Sequence, residues 1–161
     1  VLIDGEGQPF RDVHAIGRIV DWGEKSGVSY VKTDLTAAYP TLTRYIRIFR
    51  LSGRTVTVTD EIEADHPTAV TYNLHSLAQP KLDGENAAIT RDVDGHRVTL
   101  SIRPLMGALV GLTCTDRFAV DLNEGVPAEY RVTMPTQYHL TWQTAEKRAQ
   151  TIVVRYEIGE A

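Results

Sequence analysis

The feature that most limits how this chain can fold is an alternation with a period of two. In Arg54 to Ala64, Val56, Val58, Ile62 and Ala64 fall on one side, while Thr55, Thr57, Thr59, Glu61 and Glu63 fall on the other. Successive side chains of a strand point to opposite faces, so this pattern describes a strand with one face in a core and one in water. Asp60 interrupts the apolar side. It must find a partner or a strand end, because a buried unpaired carboxylate is costly. Val70, Tyr72 and Leu74 repeat the alternation, as do Val98, Leu100 and Ile102; so do Tyr138, Leu140 and Trp142, and then Ile152, Val154, Tyr156 and Ile158. Val13 to Trp22, Val28 to Leu35 and Leu42 to Leu51 are rich in the β-branched and aromatic residues that favour strands. No stretch sustains a helical stripe, and Asn123 to Ala128 has room for one short turn. The expected fold is all-β, an antiparallel β-sandwich of roughly ten to twelve strands, with a barrel as second choice.

Turn residues punctuate the runs at Asp4-Gly5, Ser52-Gly53, Asp83-Gly84 and Asp94-Gly95. Asp-Gly suits a two-residue hairpin because both central positions need positive φ. With 161 residues and no repeat, linker or charge run, 1–161 is expected to be one domain. A hydrophobic share of 42% and a charged share of 24% argue against disorder. The formal net charge of -4 argues against nucleic acid as a partner, since phosphate binding needs a concentrated basic surface. The longest apolar run, Met106 to Leu112, falls far short of the ~20 residues of a membrane-spanning helix. No Lys-rich amphipathic helix suggests attachment to a bilayer surface either. The chain opens on Val1-Leu2-Ile3 without an initiator Met, a charged leader or a signal peptide, which reads as a strand entered from upstream and predicts a piece of a longer protein.

Chemistry-bearing residues are sparse in pattern. The lone Cys114 excludes an intramolecular disulfide and any cysteine-based zinc cluster, and its apolar setting predicts a buried, inert thiol. Five histidines are present, His14, His66, His75, His96 and His139, and none forms the close spacing of a metal motif. His75 and His139 lie opposite the apolar stripes of their strands and could converge across neighbouring strands. Asp92-Val93-Asp94-Gly95 resembles the start of a calcium loop but lacks the downstream carboxylate, so a hairpin turn is expected. Gly5-Glu6-Gly7 is too short to cradle phosphate, and no G-x-S-x-G serine signature occurs. The cations are 13 Arg against 4 Lys, and the planar fork of Arg suits carboxylates. Arg44 and Arg50 share one face of their strand and Arg47 takes the other. Such a face could meet an acidic polysaccharide, pack against another domain or simply hold weak surface ion pairs. Trp22, at a strand end beside Asp21 and Gly23, is the better surface aromatic; Trp142 belongs to a core stripe.

Several segments, taken in order, resemble the C-terminal β-sandwich domain of the heparinase II/III-like polysaccharide lyase family. Val1-Leu2-Ile3-Asp4-Gly5-Glu6-Gly7-Gln8 resembles a strand ending in a D-G-x-x-Q turn. Tyr30 to Tyr39 resembles Y-x-x-x-D-x-x-x-x-Y, Arg44 to Arg47 an R-x-x-R, and Val56 to Asp60 a V-x-V-x-D segment, while Leu74-His75-Ser76 resembles the end of the next strand. The match is dense in the first half and mainly rhythmic in the second. The resemblance implies a longer enzyme in which an N-terminal α/α toroid faces the β domain, with acidic, uronate-containing polysaccharide cleaved between them by β-elimination. It further implies that the catalytic Tyr and His, and any zinc with its His and Asp ligands, lie upstream of the D-G-x-x-Q turn. On that basis no catalytic residue, metal ligand or cofactor is assigned within this chain, and Asp34 and Asp60 are expected to satisfy strand-end or cross-strand donors. Lys32, Tyr39 and Arg44, inside the family-like segments, are the candidates for substrate contact. A periplasmic or secreted location is implied by the family alone. The alternative is a stand-alone carbohydrate-binding or structural β-sandwich module.

Overall fold

The computed structural model describes residues 1–9, 12–116, 125–131 and 136–160. Twelve strands follow in chain order: β1 (Leu2–Ile3), β2 (Arg18–Lys25), β3 (Val28–Asp34), β4 (Leu42–Ser52), β5 (Thr55–Thr68), β6 (Val70–Ser76), β7 (Lys81–Asp83), β8 (Asn86–Val93), β9 (His96–Met106), β10 (Val110–Thr115), β11 (Tyr138–Gln143) and β12 (Lys147–Glu160). They form an antiparallel eight-stranded sheet in the order β2-β3-β4-β5-β12-β9-β8-β7 and a four-stranded sheet in the order β1-β6-β11-β10. The result is the all-β sandwich that the alternation implies. Two single-turn 3-10 segments, Thr36–Ala38 and Ala128–Tyr130, are the helical elements among the described residues. Of the expected turn at Asn123 to Ala128, Asn123 and Glu124 lie outside the described residues, and Ala128 opens the second of these segments. Strand β2 starts at Arg18 rather than near Val13, because Gly17 and the 13–16 stretch carry no ladder pairing.

The core forms where the even-numbered side of β5 meets the small sheet. Tyr45, Ile62, Ile102, Ile152 and Val154 come from the large sheet, and Val70, Tyr72, Leu140 and Trp142 from the small one; all are buried. Each fully buried Ile, Val or Leu contributes roughly 1.5–3 kcal/mol of transfer free energy. Polar groups stitch the two layers. The Tyr72 and Tyr156 hydroxyls lie 2.8 Å apart, and the Trp142 indole N–H donates to the Glu85 carbonyl at 2.9 Å. The Glu85 carboxylate in turn accepts the backbone N–H groups of Gly111 and Leu112.

Two strands change sheets at one corner. The chain passes from β5 to β6 across Ala69, and from β11 to β12 across residues 144–146. These passages lie side by side: Val70 and Thr144 exchange hydrogen bonds, and Lys147 is paired with Thr68. Pro67 at the corner lacks an N–H, which suits a place where the ladder is interrupted.

The hairpins follow the turn chemistry with an offset. Asp94-Gly95 and Asp4-Gly5 occupy both central positions with positive φ, as Asp-Gly predicts. Ser26-Gly27 does the same between β2 and β3. In the other two, Gly53-Arg54 and Gly84-Glu85 are central, with Ser52 paired to Thr55 and Asp83 to Asn86, one residue later than expected.

Gly107 is the glycine that packing requires. Its φ is +100°, and a Cβ there would meet the Thr151 carbonyl oxygen at 2.8 Å and the Ile152 Cα at 2.9 Å. Backbone strain and overpacking add, so Gly107→Ala should cost on the order of 2–4 kcal/mol in urea unfolding. Gly95→Ala, with φ of +81° and open space around it, should cost about 1 kcal/mol. Equal losses at the two positions would mean that the close approach at Gly107 is not what fixes it.

Candidate functional site

Arg47 on β4 and Asp60 on β5 stand directly opposite each other on the core side. Nε of Arg47 donates to Asp60 Oδ1 at 2.6 Å and Nη2 to Oδ2 at 3.0 Å, a bidentate pair. The Asp60 side chain is fully buried. The guanidinium lies 5.7 Å from the Tyr45 ring centre and 6.0 Å from that of Tyr72. Beside the pair opens a cleft of about 440 Å³ between the sheets, lined by Val1, Arg47, Phe49, Tyr72, Asn73 and Tyr156 among others.

A cleft holding Arg and Tyr invites an acid–base reading, and its electrostatics decide against one. Burial lowers the Arg47 pKa, but the hydrogen bonds and charge of Asp60 outweigh it, so the guanidinium stays charged. Burial pushes the hydroxyls of Tyr45, Tyr72, Tyr39 and Tyr156 upward, so all remain protonated near neutrality. A general base needs a pKa near the working pH, and these phenols have moved away from it. With both oxygens of Asp60 taken by Arg47, the pair is an anchor rather than a reactive centre.

The three candidates for substrate contact are not brought together. Tyr39 is buried, donates to the Val1 carbonyl and packs with its ring centre 5.2 Å from that of Tyr45, the two rings tilted at 58°. Lys32 and Arg44 lie on the opposite, outward face of the large sheet. Arg44 is held by Glu61 and Glu63, the latter at 3.2 Å, while Lys32 makes no ion pair among the described residues. Asp34 accepts the Thr36 N–H at 2.9 Å and shapes the turn after β3, which also lowers its pKa. Cys114 is half-buried rather than buried, and burial followed by Asp116 pushes its thiol up. Trp142 is 1% exposed and Trp22 74%.

His75 and His139 do converge. They are cross-strand partners on the outward face of the small sheet, with rings stacked 4.4 Å apart at 10°. Burial first, and then His75, lowers the His139 pKa. Its Nε2 is covered without a hydrogen-bond partner. Among the described residues no three His, Cys, Asp or Glu side chains gather around a common point. Two stacked imidazoles do not aim at one centre, so these residues do not fit the zinc that the family resemblance implies for a longer protein.

Two predictions arise from these contacts. Arg47→Met leaves Asp60 buried without a partner and should cost about 3–5 kcal/mol, whereas Arg47→Met with Asp60→Leu should recover most of that loss. A double variant as unstable as the single one would show that the pair acts through its cavity rather than its charge. His66 is hydrogen-bonded to Asp65, with Asp4 3.6 Å away, and its pKa is raised mainly by Asp65. A raised folded-state pKa stabilises fully below the unfolded value of about 6.5 and the gain fades as pH rises through the folded value. The stability difference between the unaltered chain and His66→Gln should therefore shrink from about pH 6.5 upward. A difference that stays flat with pH would contradict the contact.

No family model matches the chain, and no curated protein matches it in sequence. Solved structures do match. A mutant of heparan sulfate lyase HepC from Pedobacter heparinus superposes with a TM-score of 0.67 at 13% identity, covering 99% of this chain and 24% of that one. Heparinase III, the BT4657 gene product, gives 0.67 at 8% identity with the same coverage. A further heparinase III structure gives 0.67 at 10% identity over 90% of this chain and 21% of its own. The chain thus spans about a quarter of the length of the structures it matches. At these identities the likeness is one of fold, and it agrees with the resemblance carried by the sequence segments: this chain has the β-sandwich fold that forms one part of heparinase III and heparan sulfate lyase structures.

Proposed function

We propose that this chain is the accessory C-terminal β-sandwich domain, one unit over 1–161, of a longer heparinase II/III-like lyase that cleaves uronate-containing glycans by β-elimination. The observation that carries the reading is the match of nearly the whole chain to a quarter of heparinase III structures. A second feature supports it. On the core-facing side of the large sheet, Ile19, Trp22, Phe49 and Leu51 remain 66%, 74%, 39% and 48% exposed. Trp22, Val31 and Phe49 are in register across β2, β3 and β4, so this is one continuous apolar strip that the four-stranded sheet leaves largely uncovered. Contiguous exposed apolar surface of this kind marks an interface. The occupant in this reading is the rest of the longer chain, including its N-terminal toroid.

The reaction would draw its Tyr, its His and any zinc from that remainder. This chain's own contribution is mechanical: the Arg47–Asp60 pair and the tyrosines around it fix the sheets, and the rigid sandwich holds one wall of a cleft. The 161 residues alone would then be folded and inactive. A periplasmic or secreted location belongs to the same reading; among the described residues no helix is long and apolar enough to cross a membrane.

The exposure of Trp22 favours a second reading, a carbohydrate-binding module in which that ring stacks on sugar. Its neighbours Ile19 and Leu51 are aliphatic, which suits protein packing better than a sugar platform.

The deciding experiment assays the longer protein and this chain on a panel of uronate polysaccharides, following the absorbance of the unsaturated C4–C5 product. Activity in the longer protein with silence in the fragment is expected. Silence in both, with a tryptophan fluorescence shift when neutral glycan is added to the fragment, would replace the lyase reading with the binding module.

A further inference from the structure

The outward face of the large sheet carries an arrangement that packing does not explain. Strand register sets Tyr30, Arg50, Thr57, Arg155 and Arg103 in one transverse row across β3, β4, β5, β12 and β9. With strands about 4.8 Å apart, the row is roughly 19 Å long. Lys32 stands in the adjacent row, beside Tyr30's strand position. Arg155 and Arg103 are direct cross-strand partners, and like charges placed opposite each other cost stability. Arg155 Nη2 lies 3.1 Å from the Glu157 carboxylate in an ion pair, yet its Nε is covered without an acceptor. Among the described residues Arg50, Arg103 and Lys32 form no ion pair. The chain's net charge is -4, so these cations stand out against an acidic whole. Glu61 and Glu63 on this same face are held by Arg44.

Both ends of the row open into hollows. One, of about 430 Å³, is lined by Lys25, Ser26, Val28, Tyr30 and Arg50. The other, of about 390 Å³, is lined by Lys81, Asp83, Asn86, Ser101 and Arg103 among others. Each therefore holds one Lys and one Arg with hydroxyl or amide groups beside them. Asp21, Glu157 and Asp83 are the acids on the row's border: Asp21, the cross-strand partner of Lys32, accepts the Tyr30 hydroxyl at 3.3 Å, and Arg155 occupies Glu157.

We propose that this row is a binding stripe for a linear anionic glycan, lying across the strands and bearing carboxylate or sulfate groups at intervals. The Arg forks take the anionic groups, and Thr57 and Ser101 offer hydroxyls to the sugar. The polymer relieves the Arg155–Arg103 repulsion by placing negative charge between them. The stripe lies on the opposite side of the sheet from the apolar strip of β2 to β4, so the remainder of a longer chain and a glycan would not compete. The choice of polymer rests on the lyase reading; the stripe itself rests on the register and the unpaired cations.

The test uses a fluorescently labelled heparan sulfate oligosaccharide and an alginate oligosaccharide, with neutral dextran as reference, and reads polarisation at low and high salt. The 161-residue chain should bind both anionic probes at low salt and not the dextran, with affinity falling as salt rises. Arg50→Gln with Arg103→Gln should weaken binding about tenfold or more, while Arg148→Gln, an exposed cation off the row, should change it by less than about twofold. No binding by the unaltered chain, or an equal loss in Arg148→Gln, overturns the stripe. Eliminase activity of the longer protein is read separately. Binding through the row in a protein inactive on every uronate polymer overturns the lyase reading and keeps the stripe; activity without binding does the reverse.

Discussion

Everything in this sandwich is arranged around one buried ion pair. Asp60 sits in the middle of the apolar side of β5, where a hydrophobic residue would cost nothing, and Arg47 meets it with both prongs of its fork. Buried pairs of this kind add little net stability, because desolvation cancels most of the attraction. What they impose is register. Sliding β4 by one residue against β5 would turn Arg47 to the outward face and leave Asp60 charged among Ile62, Val58 and Ile152. The pair also organises its surroundings: Tyr45 and Tyr72 flank the guanidinium, and Tyr72 reaches across to Tyr156 on the last strand. A charge that looks like an error in the alternation is thus the point that aligns β4, β5, β6 and β12.

Much of this was legible in the sequence, and the part that was not has a definite cause. Alternation alone gives the faces of β5, β6, β9, β11 and β12, and it shows that Asp60 needs a partner. The partner's identity depends on where the hairpin turns. Counting outward from the observed Ser52–Thr55 pair places Arg47 opposite Asp60. Counting from a turn centred on Ser52-Gly53 places Tyr45 there instead. One residue of turn placement therefore separates an ion pair from an unpaired acid. The same limit applies to Lys32, Tyr39 and Arg44. Parity within a strand puts Lys32 and Arg44 on definite faces, but Tyr39 follows a 3-10 turn that redirects the chain inward. His75 and His139 needed only parity and strand adjacency, and they do meet.

The outward row of cations was out of reach for a different reason. Arg50 lies in the first meander, Arg103 in the second and Arg155 in the final strand, far apart in sequence. They become neighbours because β12 inserts between β5 and β9 and joins two separate meanders into one sheet. No local pattern signals that insertion, since its pairings are among the longest-range in the chain. The core depends on it equally: Ile152 and Val154 fill the centre opposite Asp60 and Val58.

This shared dependence ties the two faces of the sheet together. The side chains of β12 alternate between Ile152, Val154 and Tyr156 inside and Thr151, Val153 and Arg155 outside. Any shift of β12 that relieved the opposed Arg155 and Arg103 would also carry Val154 and Tyr156 out of register with β9 and pull Tyr156 from Tyr72. The repulsion on the outer face is therefore held in place by burial on the inner one, where apolar area outweighs a solvent-screened contact between like charges. A fold that keeps two arginines facing each other at that cost has fixed cations in position before any anion arrives. Preorganised charge of this kind loses little entropy on binding, which is why the row can serve as a site although each of its members, taken alone, is an ordinary surface residue.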